Sequence, residues 1–299
     1  MRTPDGAGAL MDIQPANLGS FRSLTGTGVR VKIVDIGANP LTDGAAPYER
    51  LLRAGDADVI GFEPNPAALD KLNQIKGPTE TYLPYAIADG QRRTLNFCQA
   101  PGMTSLLTPN RKVLELFHGF PDWGTVIGTE EVDTRRLDDI DETAGIDMVK
   151  IDIQGGELMA LSHAKKRLKT TLVIQTEVEF LAMYEDQPLF SDVDLFLRKQ
   201  GFMLHRFYPE VSRVVRPLLV ENNIYAGLSQ LFWADAIFIR DITRLDLLAD
   251  EQLLKMAAIL HDCYASIDVV LHLLTEHDSR TGGRLGATYM SALQGGQAA

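Results

Sequence analysis

Only two cysteines, Cys98 and Cys263, occur in 299 residues, far apart and in no C-x-x-C spacing. Their scarcity excludes a disulfide scaffold and a thiolate-bound metal and fits a reducing compartment, so a cytoplasmic protein is expected. Basic residues are also few, 29 against 40 acidic, and the formal charge of −11 offers no positive field to a phosphate backbone. Nucleic acid is not the expected partner. No apolar run approaches a bilayer-spanning length, and residues 1–30, rich in Gly, Thr and Ser, lack the basic start and apolar core of a leader peptide. No membrane span is expected. A complete G-x-G-x-x-G after the first strand is missing too, so no loop is provided to cradle a pyrophosphate.

What is present is 45% hydrophobic residues, enough for one large α/β domain. The run Val31 to Val34 stops at Asp35 and Gly37, and Val59 to Phe62 stops at Glu63. Each reads as a buried parallel strand that delivers polar residues at its carboxyl end, where open α/β sheets bind ligands. An acid at the tip of the second strand is placed to take both hydroxyls of a ribose. Strand and helix patterns then alternate, the mark of βαβ crossovers. Strands are expected near 31–35, 58–62, 81–87, 147–152, 171–176, 202–207 and 235–239, and helices at 47–54, 66–75, 156–168 and 191–200. The helix from Pro66 is the best marked, with proline in its first turn and Gly77-Pro78 as its stop.

Two stretches interrupt the alternation. Residues 91–145 contain a strand near Thr94 to Cys98, a polar turn at Thr104-Ser105, a short helix around Arg111 to Phe117 and a strand near Val126 to Val132. The second, 208–233, is dense in Val, Leu, Asn and aromatics. Insertions after strand ends are where such folds build substrate sites. From 242 to 277 leucines and alanines recur at helical spacing and form a helical extension, whose apolar stripe is expected to pack on the parent domain or pair a homodimer in preference to docking a partner protein. Residues 278–299 carry little core material and are expected to fray.

Acids close five successive strands. The later three are Asp89 in Ala86-Ile87-Ala88-Asp89-Gly90, Asp152 in Lys150-Ile151-Asp152-Ile153-Gln154-Gly155-Gly156-Glu157, and Glu177 after Ile174-Gln175-Thr176. With Asp35-Ile36-Gly37-Ala38-Asn39, Phe62-Glu63-Pro64-Asn65-Pro66 and Arg136-Leu137-Asp138-Asp139 after Thr134, these segments resemble, in order, the motifs of the FkbM family of S-adenosylmethionine-dependent methyltransferases. The resemblance covers roughly residues 31–240. Two departures stand out: Pro40-Leu41-Thr42-Asp43-Gly44 follows the first motif where the family has a glycine one residue on, and Gln154 stands where the family has Glu.

The resemblance implies a Rossmann-like class I methyltransferase fold, a mostly parallel seven-stranded sheet with helices on both faces and an antiparallel last strand. A polar segment, 1–30, would precede a methyltransferase domain over 31–241. S-adenosyl-L-methionine would be the cofactor, with Asp35, Gly37 and Asn39 near its amino-acid part, Glu63 on the ribose, Asp89 at the adenine edge and Asp152 by the methylthio group. The acceptor would be a small-molecule or glycan hydroxyl, whose proton needs a base; Asp152, Glu177 and His205 are the candidates, with His118 behind them. Asp152, Glu177 and His205 also suit a hard cation, but neither spacing nor a dedicated loop demands one, and no metal is expected. The competing readings are a non-catalytic binding protein on the same fold and a nicotinamide-dependent oxidoreductase.

Overall fold

In a computed structural model, which describes residues 18–39 and 45–295, the chain divides into two compact units. The larger comprises Val31–Gly44 and Ala57–Arg244. Its strands are β1 (Val31–Ile36), β2 (Ala57–Phe62), β3 (Glu80–Leu83), β4 (Ala86–Ile87), β5 (Arg92–Cys98), β6 (Val126–Arg135), β7 (Met148–Ile151), β8 (Val173–Glu179), β9 (Phe202–Arg213) and β10 (Gln230–Arg240). Seven form one sheet in the order β3-β2-β1-β7-β8-β10-β9. β10 runs antiparallel to both its neighbours, and the other pairings are parallel.

Near-continuous burial along β1 and β2 is what a parallel strand covered on both faces requires. Val34, Ile36, Phe62, Val149, Ile151, Ile174 and Phe238 carry these strands into one core. The helix Pro66–Ile75 starts where the sequence places it: the Asn65 side chain accepts from the N–H groups of Ala67 and Ala68, and Ala68 and Leu72 face inward. From β1 the order runs one way to β2 and β3 and the other way to β7 and β8. The crevice between the tips of β1 and β7 is therefore the switch point of the sheet.

The other expected elements need adjustment. The strand expected over 81–87 is two, because exposed Pro84 lacks an N–H and breaks the ladder; β3 stays in the main sheet and β4 joins β6 and β5 in a separate three-stranded sheet. The helix expected over 156–168 divides into Glu157–Ser162 and Lys165–Leu168, since the Asp138 carboxylate accepts from the Lys166 and Arg167 N–H groups and starts a new turn. Much of the second insertion is strand, as β9 continues to Arg213 and β10 begins at Gln230. The altered residues 40–44 lie outside the described residues.

The smaller unit comprises Met1–Arg30, Ala45–Asp56 and Leu245–Ala299, so residues 45–56 belong with the helical extension rather than with a continuous 31–241 domain. Among its described residues are the helices Phe21–Thr25, Glu49–Arg53, Asp250–Tyr264, Ile267–Thr281 and Leu285–Gly295. Leu253, Met256, Leu260, Val270, Leu273 and Leu274 are fully buried together with Phe21, Leu51 and Tyr289. The unit thus covers its own apolar stripe, and burial alone gives no reason for a dimer. Leu247, in the short helical segment Ile242–Leu247, is an exception that points outward.

Over 278–295 the expectation of a frayed tail is corrected. Tyr289 anchors that helix: its ring is buried and its hydroxyl lies 2.9 Å from His261 Nδ1, while His261 Nε2 lies 2.8 Å from the Gly19 carbonyl. Beside it buried Asp262 accepts the Phe21 N–H and pairs with Arg50 at 3.4 Å. A single aromatic in a polar stretch carries no periodicity, so the pattern of apolar residues does not reveal it. Tyr289→Ala is expected to cost about 3–5 kcal/mol, in the range for truncating a buried aromatic. Urea unfolding followed by circular dichroism checks it, and a loss below about 1 kcal/mol would contradict the anchoring role.

Candidate active site

The tips of β1, β2 and β7 are stitched together by the backbone. The N–H groups of Gly37 and Ala38 both donate to the Phe62 carbonyl at 3.1 Å, and the Asp152 N–H donates to the Ile36 carbonyl at 3.1 Å. Gly37 has φ +82, and a Cβ there would stand 2.1 Å from the Asp152 carbonyl oxygen. Glycine is therefore required by the protein's own close approach.

Strand register then aligns polar side chains in a band across the sheet. Asp35 is level with Lys150, Lys150 with Gln175, and Glu177 with Asp235. Lys150 Nζ pairs with Asp35 Oδ1 at 3.0 Å, and Gln175 Nε2 donates to Asp235 Oδ2 at 2.7 Å. Burial works against the Lys150 ammonium, but the carboxylates of Asp35, Asp152 and Asp235 outweigh it and raise its pKa. At the tip of β2, buried Glu63 accepts the Asn65 N–H through Oε1 at 2.8 Å; among the described residues its Oε2 takes no hydrogen bond. Burial pushes the Glu63 pKa up, the Asn65 bond opposes this, and Asp35 adds to it. Exposed Asn39 follows the Gly37 turn. Asp89 is engaged locally, ion-paired with Arg93 and accepting from the Gln91 N–H and Thr134 Oγ1, so its carboxylate is committed to partners within the fold.

The tips of β7 and β8 hold a concentration of acid. Asp152, Glu157 and Glu177 each bring one carboxylate oxygen within 4.8 Å of the others. Glu179 and Asp235 stand close enough to act on the same group. Burial, then the charges of Asp152, Glu179, Glu157 and Asp235, holds the Glu177 carboxyl well above the usual range. Burial and Glu157 do the same to Glu179, and burial pushes Glu157 up to about 7 against the hydrogen bond from the Ile153 N–H. Gln154 joins the two half-buried members: its Nε2 donates to Asp152 Oδ1 at 2.8 Å and to Glu177 Oε2 at 3.1 Å. The oxygens have a spacing that a hard cation could use, but the amide already bridges two of them, and no metal is assigned.

Asp152 and Glu177 are therefore brought together as the sequence suggests, and His205 is not. β9 runs on to Arg213, which leaves His205 beside Arg206, the partner of Ile237, level with the middle of β8 rather than at its tip. Glu157 takes the third place. His118 also sits elsewhere, with Nε2 3.0 Å from the Leu218 carbonyl. Phe117 and Phe120 are buried against Phe232 and form the core of the insertion. Sequence pattern assigns no role to Lys150, Glu157, Glu179, Tyr184 or Asp235. Lys150 and Asp152 share a strand face by their spacing of two, which is a usable signal; Asp235 enters through antiparallel pairing, which leaves no local trace.

The model of the methyltransferase FkbM domain matches residues 35–204. The chain belongs to the FkbM methyltransferase family. The 2-O-methyltransferase NoeI of Sinorhizobium fredii is 30% identical to it over 177 residues, which cover 54% of this chain and 70% of that protein. Among solved structures, the magnesium protoporphyrin IX methyltransferase of Synechocystis PCC 6803 is similar with a TM-score of 0.37 at 11% identity, covering 74% of this chain and 76% of that one. A SAM-dependent methyltransferase of Aquifex aeolicus has a TM-score of 0.31 at 12% identity, covering 72% and 87%. Both are too distant to bear on the site. As an FkbM protein the chain is a methyltransferase that uses S-adenosylmethionine. The residues present fit that cofactor: the crevice offers a buried carboxylate, Glu63, with an oxygen for ribose hydroxyls, and an acid-rich end suited to a sulfonium.

Proposed function

We propose that this FkbM protein O-methylates a hydroxyl of a sugar, glycan precursor or secondary metabolite, with Glu177 as the base. The observation that carries this reading is Glu177 itself, a half-buried carboxylate at a strand tip whose pKa is raised by burial and by its acidic neighbours. A base titrating nearer neutrality is better matched to an alcohol proton than an ordinary carboxylate, and general-base help is worth typically about 100-fold to 10,000-fold. The likeness to a 2-O-methyltransferase agrees with an oxygen acceptor. So does the absence of an Asn-Pro-Pro-Tyr-type motif after the fourth strand of the fold, where Asp152-Ile153-Gln154-Gly155 stands.

When bound, the cofactor supplies an electrophilic methyl group on a sulfonium. Glu63 holds the ribose hydroxyls in this reading, Asp35 with Lys150, Gly37 and Asn39 shape the amino-acid end, the backbone beside Asp89 faces the adenine, and Asp152 lies by the sulfonium. Positioning an acceptor oxygen in line can itself supply roughly 7–11 kcal/mol of the barrier. Buried, unpaired Cys98 and Cys263 agree with a cytoplasmic location. The test is release of S-adenosylhomocysteine on incubation with S-adenosylmethionine and a panel of glycosides and hydroxylated metabolites. Methylation of nitrogen acceptors alone would overturn the reading. For the cofactor site, Glu63→Ala is expected to weaken S-adenosylhomocysteine binding at least tenfold, about 1.4 kcal/mol, by calorimetric titration; an unchanged affinity would remove Glu63 from the ribose.

A further inference from the structure

Resting on that reading, we propose that Gln154 is the positioning residue of the site: its amide fixes the carboxylates of Asp152 and Glu177 in one arrangement and couples them to the acceptor-side insertion.

The geometry around Gln154 is unusually constrained for a non-glycine residue. Its φ is +57, and Gly155 follows at φ +94, so the chain doubles back directly after β7. Left-handed backbone at an ordinary residue persists only where its surroundings impose it. Here they do. Fully buried Ser105, from the insertion after β5, donates through Oγ to the Gln154 carbonyl at 2.6 Å. Tyr184, fully buried in the loop after β8, has its hydroxyl 3.4 Å from Gln154 Oε1 and 3.2 Å from the Met103 carbonyl. A Cβ on Gly155 would meet Gln187, Leu107 and Tyr184 at 3.0–3.2 Å, so the turn is closed on that side. With Oε1 facing the tyrosine hydroxyl, Nε2 must face the two carboxylates; the reverse orientation would set an oxygen against two oxygens.

Only an amide does this. Nε2 carries two N–H groups, one for each carboxylate. An ionised Glu at 154 has no donor and a protonated one has a single donor, while an apolar residue of equal size has none. Without the bridge, Asp152 and Glu177 stand near one another and near Glu157, Glu179 and Asp235, with Lys150 ion-paired to Asp35. Mutual repulsion then turns the carboxylates apart. Because Ser105 of the first insertion and Tyr184 of the loop after β8 hold Gln154, a rearrangement of either segment reaches the reacting groups through this residue. A misplacement of about 1 Å at a reacting group can cost on the order of 100-fold in rate.

The experiment compares wild type, Q154L and Q154E. The Glu variant keeps the length and restores the residue of the family motif, so it tests the bridge even if the Leu variant does not fold. Crystal structures with S-adenosylhomocysteine are expected to show Glu177 displaced from its wild-type pose by about 1 Å or more in both variants, with Asp35 and Glu63 unmoved. Calorimetry should give S-adenosylhomocysteine affinities within about threefold of wild type. On an acceptor that wild type methylates, kcat should fall about 100-fold with KM for S-adenosylmethionine nearly unchanged. An unmoved Glu177, a kcat within threefold of wild type, or a parallel loss of cofactor binding and thermal stability would each overturn the proposal, the last by showing a merely structural role. If wild type methylates no hydroxyl in the panel, the O-methylation reading fails, and the poses of Asp152 and Glu177 in the variants still decide what Gln154 does.

Discussion

Gly37→Ala is expected to abolish usable cofactor binding, with a loss of S-adenosylhomocysteine affinity above 100-fold, about 2.7 kcal/mol. The added Cβ would lie 2.1 Å from the Asp152 carbonyl oxygen, a backbone atom that cannot swing away like a side chain. Relief requires the tips of β1 and β7 to part. These are the tips whose N–H groups bond to Phe62 and Ile36, and the crevice between them is the proposed cofactor site. A second cost is conformational, since φ +82 suits glycine alone, at about 1–3 kcal/mol for other residues. Together these should lower stability by about 3 kcal/mol or more. Gly55 provides the control: its φ is +72 and a Cβ added there would meet nothing within 4 Å, so Gly55→Ala isolates the conformational cost alone. Calorimetric titration and urea unfolding of both variants decide the matter. Equal behaviour of the two, or Gly37→Ala binding within threefold of wild type, would refute the steric account.

Glu177→Gln is expected to reduce kcat by about 100-fold to 10,000-fold while S-adenosylhomocysteine affinity stays within a few-fold, as loss of a base without loss of binding requires. The wild-type pH profile carries the same information. Burial and the surrounding acids raise the folded-state pKa of Glu177 above the ordinary glutamate range. A base works only when deprotonated, so kcat should fall as pH drops through that raised value, at a higher pH than an unperturbed carboxylate would give. Glu177→Gln should remove this limb. Stability moves in the opposite sense. Groups with raised folded pKa values, Glu177, Glu179 and Glu157 at about 7, favour the folded state at low pH, and that contribution is lost as pH rises from about 4.5 through their folded values. Unfolding measured from pH 4.5 to 8 should therefore show wild type declining more steeply than Glu177→Gln. Parallel curves would mean that Glu177 is not ionised at a cost in the fold.

The family and the frame of the site were legible in local pattern. Runs that end in Asp35, Glu63, Asp152 and Glu177 follow from one constraint: a buried strand must be apolar along its length and can turn polar only where it leaves the core. Their order along the chain carried the resemblance to the FkbM family, which implied the cofactor, and the crossover rule maps that order onto neighbouring strand tips. The first helix after β2 was legible for a similar reason, since Asn65 and Pro66 act within one turn.

What depends on register and on distant pairing was not legible. His205 was expected near the end of its strand, where it could join Asp152 and Glu177, but β9 continues past it to Arg213, and an antiparallel partner sets which residue reaches the tip. Glu157 and Asp235 enter the acidic group, and Lys150 pairs with Asp35, through alignments between segments more than 50 residues apart or across a turn whose φ values no local pattern announces. Tyr289 was hidden in the same way, one aromatic whose burial depends on His261 and Gly19. Local sequence specifies which elements form, because propensity and hydrophobic period act over a few residues. Which side chains then meet is fixed by strand register and packing, and a shift of one residue there turns a side chain to the opposite face.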